Sequence, residues 1–444
     1  MTTQIFMAST LYGTATLAAA LDTECFRPAS RRILLISNNA ATPETAPALD
    51  EMPGFEQLRS RFDDVISWNE TISPFHPGGW SPRMDDVVLW ERYLRLLWNL
   101  GDDDVELAVE SIQVHPALGF TQIFTGAPVT VYADGLMSYG PTRNKIDPLV
   151  GTRIDRLLHL DLVPGLKPLL LTEFGVGAEI VPTDAFVKVL AELVETGDTL
   201  PAIEEPALLL GQYLSALGIL TAEEEEDLHV RMLKGAVALG HTKVVFKPHP
   251  SAPARWSRGL EKEAERLGAD LTVLDTPVLA EVLYQRMRPA LVVGCFSTAL
   301  LTASALYGLP VARVGTSTLL DRLAPYENSN RVPVTVVDAL LPELGDKAAV
   351  ASQKPGLSVA DLNRLVRAVG YAMQSKIYPS LRAEAESYLT KSLNAHTLRY
   401  FKRRRLTSLG LPGGIPVQLA FIPRNATVRR VARRARSLKR ATLG

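Results

Sequence analysis

The run Leu291-Val292-Val293-Gly294-Cys295-Phe296-Ser297-Thr298-Ala299 combines two structural patterns. Its first part is continuously apolar, which is typical of a strand buried on both faces of a sheet. Its end carries two hydroxyls at the start of a predicted helix that extends from about Ser297 to Tyr307. The free N–H groups and the dipole of such a helix N-terminus bind anions, and both hydroxyls can donate hydrogen bonds to a phosphate. A simpler interpretation stays open here, in which Ser297 only caps the helix.

The same alternation of strands and helices extends through the rest of the chain. Strand-length apolar runs occur at 4–8, 33–36, 107–114, 129–132, 207–210, 244–246, 271–274, 291–295 and 310–314. Helical patterns lie between them, including Asp85 to Leu100 and a stretch to about Gly240 with Thr221 and Glu224 as its capping box. Strands separated by helices predict βαβ units in a mostly parallel sheet, which places ligands beyond the carboxyl ends of its strands.

Five prolines interrupt this alternation between residues 164 and 206, where we place the connection between two domains. We therefore predict an α/β fold with two Rossmann-like domains and a cleft between them. The first would cover residues 1–200 and the second residues 201–396, with closing helices from Val359 to about His396. Residues 397–444 would form a basic tail.

The composition is that of a globular protein with a full core. The chain has 444 residues, of which 47% are hydrophobic and 21% are charged, so a disordered or fibrous chain is excluded. Cys25 and Cys295 are too few for a disulfide framework or a cysteine-based zinc site, which favours a reducing cytoplasm. No apolar run reaches the ~18 residues that span a bilayer. Leu11 to Leu21 lacks preceding basic residues, so we expect a helix there rather than a signal peptide.

The charge is unevenly distributed along the chain. After Glu386 there is no acidic residue, while 14 of the 47 basic residues lie there, so that 33 basic residues face 48 acidic ones before it. Near the end, Val428, Val431, Ala432, Ala435 and Leu438 recur at helical spacing among seven Arg and Lys. An apolar stripe flanked by basic residues predicts a helix at an anionic membrane surface. The alternatives are a solvated, disordered tail or one that binds nucleic acid, although no zinc or aromatic-rich RNA motif accompanies it.

Two further motifs lie where predicted strands end. Lys247-Pro248-His249-Pro250 follows the strand at 244–246, and the prolines restrict the backbone around His249. A histidine held there can contact a phosphate or protonate a leaving group, or it can simply be a turn residue bonded to the scaffold. In the first half, Asp134-Gly135 follows the strand at 129–132. A carboxylate at a strand end can act as a general base, whereas an Asp-Gly pair can also be an ordinary turn.

Taken together, these motifs resemble those of the bacterial sialyltransferases of GT-B fold, most closely the α-2,8-polysialyltransferase family. Asp134-Gly135 is similar to that family's acidic motif, His249-Pro250 to its His-Pro motif, and Ser297-Thr298 to its Ser/Thr-rich motif. The order and spacing agree over roughly residues 4 to 390. One position departs from the pattern, because Ala133 stands where the family usually has a second acidic residue.

The resemblance implies an inverting, metal-independent transfer of sialic acid, or a related nonulosonic acid, from a CMP-activated donor to a glycan hydroxyl. Asp134 and His249 would be catalytic, Asp134 as the base. Lys247, His249, Pro250, Ser297, Thr298 and Gln212 would contact the CMP part of the donor, and Gly135, Tyr139 and His115 the acceptor. No metal or other cofactor would be needed. The setting would be capsule or cell-surface polysaccharide synthesis at the inner face of the membrane, with no nucleic-acid partner.

Two alternatives remain open from the sequence. One keeps the two-domain fold with a different nucleotide-sugar donor, as in teichoic-acid-type transferases or nucleotide-sugar epimerases. The other is a degenerate transferase that binds nucleotide without turnover, which the alanine at position 133 would allow.

Overall fold

The computed structural model describes residues 1–194, 200–249, 257–274 and 276–415. They form two parallel sheets surrounded by helices. The first sheet has seven strands in the order β3-β2-β1-β4-β5-β6-β7. These strands are β1 Thr2–Ala8, β2 Arg31–Ile36, β3 Asp64–Ser67, β4 Asp104–Glu110, β5 Val129–Ala133, β6 Ile154–His159 and β7 Gly177–Ile180. The second sheet has five strands in the order β10-β9-β8-β11-β12. They are β8 Ala207–Leu210, β9 Lys243–Lys247, β10 Asp270–Val273, β11 Leu291–Gly294 and β12 Val311–Arg313.

Helices follow most of the strands, as expected for βαβ units. In the first half they are α1 Leu11–Asp22, α2 Phe55–Arg59, α3 Trp68–Thr71, α4 Val87–Leu97, α5 Ala117–Ile123, α6 Pro148–Gly151 and α7 Thr183–Val194. In the second half they are α8 Ala222–Ala238, α9 Ser257–Leu267, α10 Ala280–Met287, α11 Thr298–Tyr307, α12 Thr316–Arg322, α13 Arg331–Leu340, α14 Lys347–Ser352, α15 Val359–Met373, α16 Arg382–Ser392 and α17 Arg403–Ser408. The predicted α/β fold with two Rossmann-like parallel sheets is therefore confirmed.

Both faces of the first sheet are covered by apolar packing. On β1, Phe6 and Ala8 face the core that contains α1 and α7, while Ile5 and Met7 face the core that contains Leu94 of α4. The core of the second sheet joins the first of these two clusters. The two halves of the chain therefore meet on the α1–α7 side, and α4 lies on the opposite face.

Three element boundaries differ from the sequence predictions. The fourth strand covers Asp104–Glu110 rather than residues 107–114, because Ser111 and Ile112 adopt positive φ angles and take the chain out of the sheet. The helix predicted from Asp85 to Leu100 has its α-helical part at Val87–Leu97. The closing segment is two helices, α15 and α16, separated by a turn at Pro379. The capping box at Thr221 and Glu224 is confirmed.

A tyrosine from the closing segment reaches back into the first half of the chain. The Tyr378 hydroxyl donates to Glu173 Oε2 at 2.6 Å and accepts the N–H of Thr142 at 3.0 Å. The neighbouring Gln374 amide donates to the Arg143 carbonyl at 2.6 Å. The loop after β5 is thus completed by residues that come more than 200 positions later.

The folded part of the chain extends past residue 397, where the basic tail was predicted to begin. Tyr400, Phe401 and Leu406 are buried, and Tyr400 donates to Asp338 Oδ2 at 2.9 Å. Arg399 and Arg405 form ion pairs with Asp338 and Glu327. The structure therefore differs from a tail that begins at 397. The predicted membrane-surface helix at 428–440 lies outside the described residues. Within the part of the chain that the structure describes, no helix has the length and apolarity to span a bilayer.

Candidate active site at the facing strand ends

In each sheet the candidate residues lie beyond the carboxyl ends of the central strands. In the first sheet, β1 and β4 are adjacent and their connections leave in opposite directions, which opens a crevice at this point. In the second sheet, β8 and β11 create the same kind of crevice. Parallel α/β sheets bind their ligands at such switch points.

Two carboxylates occupy the crevice of the first sheet. Glu110 is the last residue of β4 and pairs in register with Tyr132 of β5, two residues before Asp134. Ser9, at the end of β1, donates its hydroxyl to Glu110 Oε2 at 2.6 Å. Both acids keep part of their surface open. Glu110 thus supplies a second acidic side chain beside Asp134, although position 133 is alanine.

The surroundings of this pair favour a protonated carboxyl near neutral pH. Burial raises the pKa of Asp134 to about 7, and the nearby charge of Glu110 adds to this effect. Burial also raises the pKa of Glu110, while the hydrogen bond from Ser9 opposes this. Two acids that share a poorly solvated site cannot both ionise easily. The pair is therefore able to accept a proton close to pH 7.

The first turn of α1 packs directly against Asp134. A methyl group added at Gly13 would lie 3.3 Å from Asp134 Oδ2 and 3.2 Å from the Tyr132 hydroxyl. Thr10 caps this helix by accepting the Gly13 N–H. Glycine at position 13 therefore lets the positive end of a helix approach the carboxylate, which favours its ionised form.

The predicted acceptor-side residues have different environments. Tyr139 is fully buried and its hydroxyl accepts the N–H of Val163 at 3.2 Å, so in this structure it supports the loop from inside. His115 lies in the connection between β4 and α5, where its Nδ1 is buried with no hydrogen-bond partner among the described residues. Loss of solvation lowers the pKa of His115. Gly135 lies at the cleft, as described below.

The second sheet brings its predicted donor residues to three adjacent strand ends. Strand β8 pairs with β9 on one side and with β11 on the other. Gln212 follows β8 and accepts the Phe296 N–H at 2.8 Å, which ties the start of α11 to this strand end. Ser297 accepts the Ala299 N–H and caps α11. Ser297 therefore has the capping role that the sequence analysis gave as the simpler interpretation. Thr298 is the first residue of the helix, at its open N-terminal end.

Lys247 is the last residue of β9, and His249 comes two residues later at the same edge. His249 is exposed, and its ring lies 6.2 Å from that of Tyr213. Loss of solvation lowers the pKa of His249, and the charge of Lys247 lowers it further. Pro250 lies outside the described residues.

A buried carboxylate that the sequence analysis did not single out faces Lys247. Glu281 lies in the first turn of α10, is 2% exposed and accepts the Thr302 hydroxyl at 2.6 Å. Burial lowers the pKa of Lys247, and the charge of Glu281 opposes this. Tyr12 approaches from α1 with a buried hydroxyl that has no hydrogen-bond partner in the described parts of the chain.

The two motif-bearing edges meet across the cleft. A methyl group added at Gly135 would lie 3.2 Å from the Thr298 Oγ1. The 3-10 turn Leu136–Tyr139 that follows also contacts α13 of the second half. The structure therefore brings Asp134-Gly135 of the first sheet against Ser297-Thr298 of the second.

A metal site is not evident in the same region. Across residues 1–194, 200–249, 257–274 and 276–415, no group of three or more His, Cys, Asp or Glu side chains is arranged to hold a metal ion.

Sequence reasoning missed the acids that come from neighbouring strands and helices. Glu110 was placed inside a longer strand, so its position at the end of β4 was not visible. Glu225 is fully buried in α8 and accepts the N–H groups of Leu214 and Ser215, which fixes the loop after β8. In the sequence, Glu225 is one of three acids in the first turn of a helix, a position that by itself indicates only a favourable contact with the helix dipole.

Comparison with known proteins identifies a family. The model of the alpha-2,8-polysialyltransferase (POLYST) family matches residues 4–316 of the chain. No curated protein matches the sequence.

Several solved structures are similar at low sequence identity. A sialyltransferase from Photobacterium damselae (its GT-B domain, residues 113–497 of that protein) is 12% identical, with a TM-score of 0.41 over 75% of this chain and 95% of that one. UGT2 from Phytolacca americana, complexed with UDP-2-fluoro-glucose and pterostilbene, is 11% identical. The TM-score is 0.44, and the match covers 88% of this chain and 98% of that one. MurG from Acinetobacter baumannii is 11% identical, with a TM-score of 0.38, and the match covers 87% of this chain and 95% of that one.

Proposed function

Since the chain belongs to the α-2,8-polysialyltransferase family and is therefore a glycosyltransferase, we propose that it transfers sialic acid, or a related nonulosonic acid, from a CMP-activated donor to a glycan hydroxyl. The transfer inverts the anomeric centre and needs no metal ion. The acceptor binds on the side of the first sheet and the donor on the side of the second.

One observation supports this assignment most directly. Gly135 lies against Thr298, so a carboxylate and a helix N-terminus with two hydroxyls face each other across the cleft. A base on one side and an anion site on the other is what the transfer of a sugar from a phosphate to a hydroxyl requires.

In the proposed reaction Asp134 takes the proton of the acceptor hydroxyl. The acceptor oxygen then forms a bond to the anomeric carbon of the donor sugar while the bond from that carbon to the phosphate oxygen breaks. CMP leaves with the electron pair of the broken bond. The N-terminus of α11, Ser297, Thr298 and His249 stabilise the negative charge that develops on the phosphate.

The raised pKa of Asp134 suits this role. A base with a pKa of about 7 is largely ionised at slightly alkaline pH and is still basic enough to accept a proton. The charge of Glu110 raises that pKa further. Glu110 thus has the effect on Asp134 that an acidic residue at position 133 would have. This argues for an active enzyme rather than a degenerate, nucleotide-binding scaffold.

A donor screen tests the proposal. Purified protein is incubated with CMP-, UDP- and CDP-activated sugars, with and without candidate glycan acceptors, and released nucleotide is measured. We expect CMP release from a CMP-nonulosonic acid, stimulated by an acceptor, and thermal stabilisation by CMP above that by UDP or CDP. A preference for UDP- or CDP-sugars would support the other nucleotide-sugar transferases, and stabilisation by CMP without turnover would support a scaffold.

Metal independence is tested in the same assay. We expect EDTA to leave CMP release unchanged, because helix α11 and the protein side chains carry out the charge stabilisation. Loss of activity in EDTA that magnesium restores would refute the metal-free mechanism.

We also propose that the basic segment after Ile415 binds anionic membrane surfaces and so brings the enzyme to lipid-linked glycans at the inner face of the membrane. Eight of the fourteen basic residues lie there, whereas Arg399 and Arg405 are already paired with acids of the folded body. Full-length protein should pellet with anionic vesicles at low salt and be released as salt rises.

The matched control is a chain that ends after Ile415. A chain cut near Thr397 would lose the buried Tyr400 and Leu406, whereas the longer one keeps the folded body intact. This shortened protein should stay in the supernatant and bind CMP normally. Equal behaviour of both proteins towards vesicles would rule out the membrane role.

A further inference from the structure

A cavity of about 800 Å³ lies at the amino ends of the strands of the first sheet, at the edge opposite to Asp134. Three of its polar side chains come from three adjacent strands, namely Arg32 of β2, Gln4 of β1 and Glu106 of β4. Gln4 pairs in register with Arg32 on one side and with Glu106 on the other. The three side chains therefore lie in one row on the same face of the sheet. The proposed transfer reaction uses none of them.

Gln4 brings a buried hydrogen-bond acceptor to this cavity. The side chain is 2% exposed, and its Nε2 donates to the Arg27 carbonyl at 3.0 Å and to Glu106 Oε2 at 2.9 Å. Because a backbone carbonyl can only accept, the amide nitrogen must face Arg27, and Oε1 is the atom left over. In the described parts of the chain, Oε1 has no hydrogen-bond partner. Buried polar groups are nearly always paired, so this oxygen indicates a donor that comes from outside the chain.

The neighbouring arginine has the complementary need. Arg32 Nε is buried and has no hydrogen-bond partner among the described residues. The preceding Arg31 pairs with Asp64, whereas neither Arg32 nor Arg27, which also lines the cavity, forms an ion pair within the described structure. The planar donors of an unpaired guanidinium match a carboxylate or a phosphate. The β2 side of the cavity is therefore suited to an anionic group.

The acids of the cavity decide which anion fits. Glu106 lies on β4 and Asp155 on β6, so both are on the other side of Gln4 from Arg32, and Glu24 is exposed in the segment after α1. The row thus changes from positive on β2 to negative towards β4 and β6. A phosphate ester would be repelled by these acids more strongly than a singly charged carboxylate. Hydroxyl or amino donors on the same ligand would suit the acidic side.

The basic residue at the acidic side does not change this distribution. Arg156 of β6 lines the cavity, but it forms an ion pair with Glu179 at 3.3 Å. Its guanidinium also lies 5.3 Å from the centre of the Phe26 ring, which is buried in the wall of the cavity. Arg156 is therefore already engaged, and the unpaired cations are those on the β2 side.

We propose that this cavity binds a small carboxylate that also carries hydroxyl or amino groups, which is the chemistry of a sugar acid or an amino acid. The carboxylate contacts Arg32, and a hydroxyl or ammonium group donates to Gln4 Oε1 and Glu106. Adjacent strands are ~4.8 Å apart, so one small molecule reaches all three side chains. Gln4 and Ala8 are separated by ~13 Å along β1, so the ligand stays outside the cleft and the proposal does not depend on the transfer reaction.

The first test is a titration of the full-length protein, followed by saturation-transfer NMR of the ligand. The sugar acid is D-glucuronate, with D-glucose as the matched control, and the amino acid is L-serine, with ethanolamine as the control. Each control keeps the donors and lacks the carboxylate. We expect saturable binding of at least one acid with a Kd of about 1 mM or tighter, and binding of its control that is weaker by about tenfold or more. Binding of glucuronate assigns hydroxyl donors to the ligand, and binding of serine assigns an amino donor.

Substitutions locate the bound acid. Arg32→Gln removes the charge and should weaken binding by about tenfold or more, while Gln4→Met removes the acceptor and should weaken it by about threefold or more. Gln4→Met also removes two hydrogen bonds of the fold, so Arg32→Gln carries the test if that variant does not fold. The matched control is Arg59→Gln, at the exposed end of α2, which should bind the acid as wild type does. CMP binding should be the same in all these proteins.

Four results would overturn the proposal. The first is that neither glucuronate nor serine binds at about 10 mM, a concentration well above the expected Kd. The second is a control compound that binds as tightly as its acid. The third is an acid whose binding Arg32→Gln leaves unchanged. The fourth is displacement of the acid by CMP, which would place it in the cleft.

Discussion

The strand ends of the first sheet and those of the second share a topology and differ in charge. Beyond β1, β4 and β5 lie two carboxylates, Glu110 and Asp134, whose pKa values are raised by burial. At the carboxyl ends of β8, β9 and β11 lie Lys247, His249 and the N-terminus of α11. One edge is thus suited to hold a proton and the other to hold an anion.

In the proposed reaction, this difference lets one type of sheet serve two different steps. The backbone provides the same crevice twice, and the side chains at the strand ends decide what each crevice binds. The opposite charge preferences matter because the two edges meet at Gly135 and Thr298. Changes on the first edge should therefore affect proton transfer, and changes on the second edge should affect donor binding.

The largest effect is expected from Asp134→Asn, which removes the proposed base and keeps the shape of the side chain. CMP release in the presence of an acceptor should fall by about 10²-fold or more, because an amide cannot take the proton. CMP binding, measured by thermal shift, should stay near wild type. Asp155→Asn, at the amino end of β6 and away from the cleft, is the matched control. Near-normal transfer by Asp134→Asn would exclude this residue as the base.

A somewhat smaller effect is expected on the second edge. His249→Ala, and Ser297→Ala combined with Thr298→Ala, should each lower transfer by about 10-fold or more and weaken CMP binding as well. Ser304→Ala, on the exposed side of the same helix, should change neither quantity. Variants that lose turnover while CMP binding stays intact would place these residues outside the phosphate site.

The coupling of the two acids predicts a change in pH dependence. The activity of wild type should rise with pH through about 7, because Asp134 acts as a base only when it is ionised. Glu110→Gln removes a charge that raises the pKa of Asp134, so the rising limb should move to lower pH by about one unit. The measurement is the ratio of kcat/KM at pH 6 to that at pH 8, with Glu106→Gln on the same strand as control. An unchanged ratio would show that Glu110 does not tune the base.

A separate prediction concerns the stability of the fold that supports the second edge and not the reaction. His229 of α8 packs against Phe246 of β9 with ring centroids 4.9 Å apart, and burial lowers its pKa to about 4. The unfolded chain binds the proton below about pH 6.5 and the folded chain does not. Stability should therefore be lost progressively as pH falls from about 6.5 to 4, by up to roughly 3 kcal/mol.

His229→Phe should remove most of this loss, since its Nε2 has no hydrogen-bond partner in the described structure. The readout is the urea midpoint at pH 7.5 and at pH 4.5, with the exposed His76→Phe as control. A midpoint that falls equally in wild type and His229→Phe would assign the acid sensitivity to other groups.

Most of the fold follows from patterns that the sequence carries locally. Runs such as Leu291–Gly294 are apolar throughout because the strand is covered on both faces, and the sequence itself contains the Thr221–Glu224 capping box. The less regular strands β3, β6 and β7 were not predicted. The sequence of β6 mixes charged and apolar residues, and β7 is an exposed edge strand of four residues.

The candidate site was only partly predictable. Asp134, Ser297 and Thr298 lie next to a strand end in the sequence, so local patterns could indicate them. Glu110 and Glu281 belong to the site through sheet register and helix packing, which join residues distant in sequence. The sequence around Ala133 does not show that the neighbouring strand β4 places an acid, Glu110, beside Asp134.

The contact between Tyr378 and the loop after β5 has a consequence for synthesis on the ribosome. The Thr142 N–H and the Glu173 carboxylate obtain this hydrogen-bond partner only from a residue translated more than 200 positions later. The loop that carries Asp134 therefore cannot reach its final form while the nascent chain contains only the first sheet. Unlike a protein whose amino-terminal domain matures before the rest emerges, this chain completes the edge that carries Asp134 near the end of translation.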